Sequence, residues 1–202
     1  MTTAREAILA RLGPPGPPGG DPSAEYAAIR RGYLTQHHPD ADLVELLAER
    51  VADYRAVVHV VPEGELPRVL ARSLREGEYV IPDGLPAAWV SRIGPDRRAA
   101  EDADLTEVAG VITGCAVAIA ETGTLVLDHG HGQGRRALTL VPDHHLVVVP
   151  ADRIAADVPG ALARLDVTRP LTFVSGPSAT SDIELSRVEG VHGPRTLEVF
   201  LI

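Results

Sequence analysis

The stretch Thr113 to Asp128, TGCAVAIAETGTLVLD, constrains this chain more than any other. It holds two apolar runs, Cys115 to Ala120 and Thr124 to Leu127, separated by Glu121-Thr122-Gly123. An ionised glutamate is rarely buried without a partner, because taking it out of water costs more than its apolar neighbours return. The tripeptide therefore interrupts the apolar run rather than passing through a core. Gly123 opens backbone conformations closed to other residues. The chain can turn sharply there and leave the carboxylate at the mouth of a strand, where sites sit in parallel α/β folds. The same residues also suit a buried turn in which Glu121 only accepts hydrogen bonds from backbone N–H groups.

With 202 residues the chain can build one sizeable core. Its 19 basic and 28 acidic residues give a net charge of −9, which works against non-specific binding to DNA or an anionic membrane. Nucleic acid is set aside as a partner. No run reaches the ~18 apolar residues of a membrane span, and Met1 to Leu12 carries Arg5, Glu6 and Arg11 where a signal peptide needs an apolar core. The expectation is a cytoplasmic protein without membrane insertion. There is no Lys and no Asn, so Schiff-base chemistry and Walker-type phosphate binding fall away. The one cysteine, Cys115, cannot by itself hold an iron–sulfur cluster, which normally takes about four thiolates, nor form an internal disulfide.

Taken in order, Thr3 to Leu12 reads as a short amphipathic helix, stopped by the proline- and glycine-rich segment Gly13 to Gly20. Residues 1–20 are thus an N-terminal helix and linker, and residues 21–202 a single domain. Helices are expected over Pro22 to Tyr33 and over Asp40 to Tyr54, the latter capped by Asp40 or Asp42. From Ala56 onward strands alternate with helices. Strands are predicted at Ala56 to Val61, Tyr79 to Ile81, Val108 to Ile112, His145 to Val149, Leu171 to Val174 and Thr196 to Ile202. Helices are predicted at Glu65 to Arg75, Glu101 to Glu107, and in two pieces over Ala151 to Leu165, broken at Pro159-Gly160. This order argues for βαβ units and a mostly parallel sheet covered by helices. Trp89 reads as packing between layers.

Other segments carry polar chemistry. Asp128 to Arg136 has glycines at alternate positions, but no helix follows them as a phosphate loop requires, so a flexible excursion or hairpin is expected. Asp128, His129, His131, His144 and His145 are metal-binding types without a recognised ligand spacing, and no metal site is assigned. No Gly-x-Gly-x-x-Gly fingerprint supports a nicotinamide or flavin. Ser175 to Glu184 places Ser175, Gly176, Ser178, Thr180, Ser181 and Asp182 between a strand and a helix start, with Ser181 and Glu184 at capping-box spacing. Such a start can hold a carboxylate or phosphate. His192, flanked by glycine, is an acid–base candidate or a turn residue.

AETGTLVLD from Ala120, GRRALTLVPDHHLVVV from Gly134, SGPSATSDIE from Ser175 and GVHGPRTLEVFLI from Gly190 occur together and in this order. In series they resemble the lactate utilization (LUD) domain family, closely over the C-terminal half. The resemblance implies a three-layer α/β/α fold, similar to the sugar-phosphate isomerase and CoA-transferase superfamily, preceded by the N-terminal helices. It implies a non-redox subunit of a complex oxidising L-lactate to pyruvate, whose two partner proteins carry iron–sulfur clusters while this chain alone binds no cofactor. Glu121-Thr122-Gly123 looks like the turn that holds the nucleophilic glutamate of similar CoA-transferases. Fold alone does not carry that chemistry over. A carboxylate in an apolar setting has a raised pKa and can act as a base. The site expected is Glu121 and His192 as acid–base groups, with Thr122, Gly123, Thr124 and the Ser175 to Asp182 loop holding a small carboxylate. A free-standing enzyme acting on a thioester or sugar phosphate, or a carboxylate-sensing module, would use the same residues.

Overall fold

The computed structural model describes residues 3–13, 21–33, 37–177 and 193–202. By its internal contacts the chain divides into residues 1–34 and 35–202, where the sequence put the division at residue 20. In the first unit, α1 (Ala4–Arg11) starts from a capping box between Thr3 and Glu6. The next helix, α2 (Pro22–Ala28), starts from Asp21, with a proline in its first turn. It ends well before Tyr33. The Arg31 guanidinium donates back to the carbonyls of Tyr26 and Ile29, taking acceptors that another helical turn would have used.

The second unit begins with α3 (Leu43–Asp53), capped by Asp42, whose carboxylate accepts from the N–H groups of Val44 and Glu45. Then follow β1 (Val57–Val60), α4 (Leu66–Ser73), β2 (Tyr79–Val80), β3 (Arg98–Ala99), β4 (Gly110–Thr113), β5 (Val117–Ile119) and β6 (Thr124–Leu127). The chain continues through β7 (His144–Val149), β8 (Ile154–Ala155), α5 (Val158–Leu162), β9 (Thr172–Val174) and β10 (Thr196–Leu201). A parallel six-stranded sheet has the order β1-β10-β7-β4-β2-β3. Side chains alternate between its faces. Leu146, Val148 and Phe200 pack on Leu66 and Leu70 of α4, while Val147, Val149, Val199 and Leu201 pack on Leu47 and Val51 of α3. Helices therefore flank the sheet on both faces in the expected three-layer α/β/α arrangement, and β7 is buried along its whole length, as a doubly covered strand must be.

A second sheet adds to the expected one, and three local expectations are corrected. β5 and β6 form an antiparallel hairpin in a second sheet, ordered β8-β5-β6-β9. The four residues between them are too few for a parallel crossover, which takes about a dozen. Glu101 to Glu107 forms turns, because Asp104 Oδ1 accepts from both the N–H (2.9 Å) and the hydroxyl (2.7 Å) of Thr106, a local bond that competes with helix. Pro159-Gly160 does not break a helix but lies in the first turn of α5, whose cap is Asp157. The Asp128 to Arg136 excursion makes no hairpin; it continues into a 3₁₀ turn at Arg136–Thr139, with Leu138 buried.

At the starting ends of the parallel strands lies a buried polar network. Arg75 N–H donates to the Tyr79 hydroxyl (2.9 Å), which donates to His144 Nδ1 (2.8 Å). His144 Nε2–H then donates to Glu198 Oε1 (3.0 Å), and His59 Nε2–H to Glu198 Oε2 (2.8 Å). Burial pushes the Glu198 carboxyl up, but hydrogen bonds from His144, His59 and Ser73 outweigh it and bring it down to about 2. A depressed carboxyl contributes stability that is present above its unfolded value of about 4.3 and is lost as pH falls toward 2. Glu198→Gln is expected to cost about 3 kcal/mol at neutral pH and to flatten the fall in the urea midpoint across that acid window. An unchanged acid slope would show that the network does not stabilise the fold.

Candidate functional site

The Glu121 turn is built on α3. Gly123 has φ +61°, and a Cβ there would lie 2.7 Å from the carbonyl carbon of Arg50. Gly176 has φ +84°, and its Cβ would lie 2.7 Å from that of Tyr54. Only glycine lets these two loops sit directly on the last turn of α3. Between them Thr122 donates to Thr124 Oγ1 (2.8 Å), which is 2.8 Å from Ser175 Oγ. Of the expected site, Glu121, Thr122, Gly123, Thr124, Ser175 and Gly176 are thus gathered at this helix end. Ser178, Thr180, Ser181, Asp182 and His192 lie outside the described residues.

Glu121 projects from the hairpin with its side chain 31% exposed, and Oε1 is 2.9 Å from His37 Nδ1 and 3.4 Å from His38 Nε2. The N–H of His37 donates to Asp157 Oδ2 (2.9 Å), while Asp157 Oδ1 caps α5 through the N–H of Gly160 (2.7 Å). The segment is therefore held through both backbone and side chain. His38 has φ +53° although Pro39 follows, a position where the extended region is favoured. Such a conformation costs of order 1–3 kcal/mol and persists only where its surroundings enforce it.

These contacts overturn the expectation of a raised Glu121 pKa. The hydrogen bond from His37 holds the carboxyl below its ordinary value, outweighing burial, and His38 adds to the effect. The same bond raises His37 above its ordinary value. Glu121 is an ionised acceptor at neutral pH. With Nδ1–H donated to Glu121, His37 keeps Nε2 as the proton-accepting nitrogen, the arrangement by which a carboxylate orients a general base.

A second concavity lies at the C-terminal ends of β2 and β4. It is a crevice of about 910 Å³ whose lining includes Asp83, Cys115, Asp128, His131, Arg135 and Arg153. The glycine-rich segment forms its wall, since Gly132 N–H donates to Asp83 O (2.8 Å) and Gly114 N–H to Gly132 O (2.8 Å). Three of the four histidines of metal-binding type, His129, His144 and His145, have other partners. His129 bonds Thr172 Oγ1 (2.9 Å), and His145, 2.8 Å from Thr113 Oγ1, is pushed by burial down to about 3. Among the described residues no group of three or more His, Cys, Asp or Glu is placed to hold a metal. Burial pushes the Cys115 thiol up to about 12, so it is not a thiolate at neutral pH.

His37, His38 and Asp157 escaped the sequence reading. Asp157 carried a signal, an aspartate two residues before a proline, the spacing of a helix cap with proline in the first turn. The adjacent histidines before Pro39 carried none that named their partner.

A three-layer α/β protein with a histidine–glutamate pair at a hairpin turn is the class that fold and site define. Residues 37–202 match the LUD domain model, and the chain belongs to that family. It is 46% identical over 171 residues to "Lactate utilization protein C" of Deinococcus radiodurans, covering 80% of each chain. The Bacillus subtilis protein of the same name is 31% identical over 142 residues, 63% of this chain and 59% of that one; its aligned part is thus under two thirds of its length. A crystal structure of a DUF162 family protein from Deinococcus radiodurans superposes with a TM-score of 0.66 at 37% identity, covering 79% of this chain and 95% of that one.

Gly123→Ala tests how the turn is seated. A left-handed alanine meeting the α3 backbone is expected to cost about 2 kcal/mol in urea unfolding. It should also return the His37 titration, followed by NMR, toward that of a free histidine. A full-strength His37–Glu121 pair in the variant would refute the seating.

Proposed function

We propose that this chain serves lactate utilization as the non-redox subunit of an assembly that oxidises L-lactate to pyruvate. The reading is carried by the 46% identity to a lactate utilization protein C across 80% of both chains. The His37–Glu121 pair supports it by supplying one half of the chemistry. Oxidation of the 2-hydroxy acid removes the hydroxyl proton and, from the carbon, a hydrogen with its electron pair. His37 Nε2 takes the hydroxyl proton while ionised Glu121 holds the resulting imidazolium. The hydride equivalent passes to a two-electron acceptor supplied by the partner proteins. That acceptor releases its proton to solvent and hands its two electrons on one at a time to their iron–sulfur clusters, since a single cysteine cannot ligate such a cluster in this chain. The hydroxyls of Thr122, Thr124 and Ser175 line the same helix end and suit the substrate carboxylate.

The test is lactate-dependent dye reduction by the chain alone and by the chain co-expressed with its two iron–sulfur partners. Activity is expected only in the assembly. Because His37 must be neutral to accept a proton and Glu121 raises it, the rate should climb with pH through a value above the ordinary ~6.5 of histidine. Glu121→Gln should move that midpoint down, and His37→Gln should lower turnover about 100-fold. Turnover by the isolated chain, or a pH profile untouched by Glu121→Gln, would overturn the proposal.

A further inference from the structure

The crevice beside β2 and β4 stands apart from the Glu121 turn and has its own chemistry. In the sheet order, β2 is followed by β3 on one side while β4 leads toward β7 on the other. That reversal makes the gap beyond their C-terminal ends the switch point at which open α/β sheets bind ligands. The polar crevice shares Cys115, His131 and Arg153 with an apolar slot of about 210 Å³, whose other walls include Leu85, Pro86, Trp89 and Val148. A slot with an indole and aliphatic side chains among its walls, sharing residues with a charged chamber, is a two-part site. The first part suits an aromatic ring, the second a phosphorylated tail.

The charges in the chamber sort in the same way. Asp128 is offset, because Oδ2 accepts from Arg169 (2.8 Å) and Oδ1 from Gly130 N–H (3.0 Å) and Gln133 Nε2 (2.7 Å). Arg153 and Arg135 make only long bonds of 3.4 Å to the carbonyls of Ala116 and Glu101, and neither has an ion pair among the described residues. They are cations positioned beside an open volume. Asp83 and Glu101 also line it; carboxylates there suit sugar hydroxyls or ring N–H donors. A lone phosphate would satisfy the arginines but leave the slot and the carboxylates unused.

We infer that the crevice binds a phosphorylated planar heterocycle of the nucleotide class, its ring against Trp89 in the slot and its phosphate on Arg153 and Arg135. The anchor is two side chains rather than the amides of a glycine loop. Gly130, Gly132 and Gln133 already spend their N–H groups within the protein. This is why no dinucleotide fingerprint accompanies the site. The inference does not rest on the lactate reading, and the two can fail independently.

Trp89 is the only tryptophan, so its fluorescence reports the slot directly. The full chain is titrated with AMP, FMN, NAD and coenzyme A, and with inorganic phosphate for comparison. At least one of the four is expected to change Trp89 emission saturably below millimolar concentration, and phosphate alone to leave it unchanged. Arg153→Gln should weaken that ligand about tenfold. Trp89→Phe, followed by equilibrium dialysis, should weaken it as well while leaving the circular dichroism of the chain unaltered. No saturable change with any of the four, equal action by inorganic phosphate, or an affinity indifferent to Arg153→Gln would each overturn the inference.

Discussion

Strand β10 holds the large sheet together. It pairs along all six residues with β7 and along four with β1, so without it β1 and the helices around it would have no sheet to join. Its pairing partners lie far away in sequence, Val57 with Glu198 and His144 with Thr196. A sheet completed by the last described residues of the chain closes only after long loops have been ordered, which makes such folds slow to form. The polar network depends on the same insertion. Glu198 reaches both His144 and His59 only because β10 lies between the strands that carry them.

The two ends of the parallel strands are thus occupied differently. At the starting ends, a fully hydrogen-bonded set of Tyr79, His144, Glu198 and His59 fills space between strands and leaves no buried polar side-chain atom unpaired among the described residues. At the finishing ends the chain passes into loops, with arginines and carboxylates facing an open volume. Polar groups satisfied by each other favour one fold, whereas polar groups facing a cavity await another molecule. His145, next to His144 in sequence, points to the opposite face and is kept neutral by burial. The two adjacent histidines therefore have different hydrogen-bond partners, although His144 adds to the lowering of His145.

How much of this is legible in the sequence depends on whether the cause is local. The β7 run HHLVVV, the apolar stripe of α3 and the sharp turn at Glu121-Thr122-Gly123 each follow from residues within one element. The hairpin between β5 and β6 was also available from loop length. What was not legible is whatever needs two distant segments. The partner of Glu121 is 84 residues away, and nothing near His37 indicates that a carboxylate waits there. The pKa direction failed for the same reason. An apolar neighbourhood in sequence implies desolvation, but the carboxylate stands at a turn on the surface, where a hydrogen bond from His37 outweighs burial. Gly123 stood out for turn freedom and Gly176 as part of an anion-holding loop, while the structure gives both the further task of admitting the end of α3.

The hairpin also decides whether the two concave regions can be one site. Cys115 precedes β5 and lines the crevice, Asp128 follows β6 and lines it too, and Glu121 occupies the turn between those strands. At about 3.3 Å per extended residue, the six steps from Cys115 to Glu121 place the carboxylate on the order of 20 Å from the crevice. A three-carbon hydroxy acid is only a few ångströms long and cannot touch both. The strands between them are buried from Val117 to Ile119 and from Thr124 to Leu127, so the hairpin is a stiff spacer rather than a hinge. The His37–Glu121 pair and the arginines of the crevice therefore stand at opposite ends of one rigid element, and any influence of one on the other has to pass through its packing.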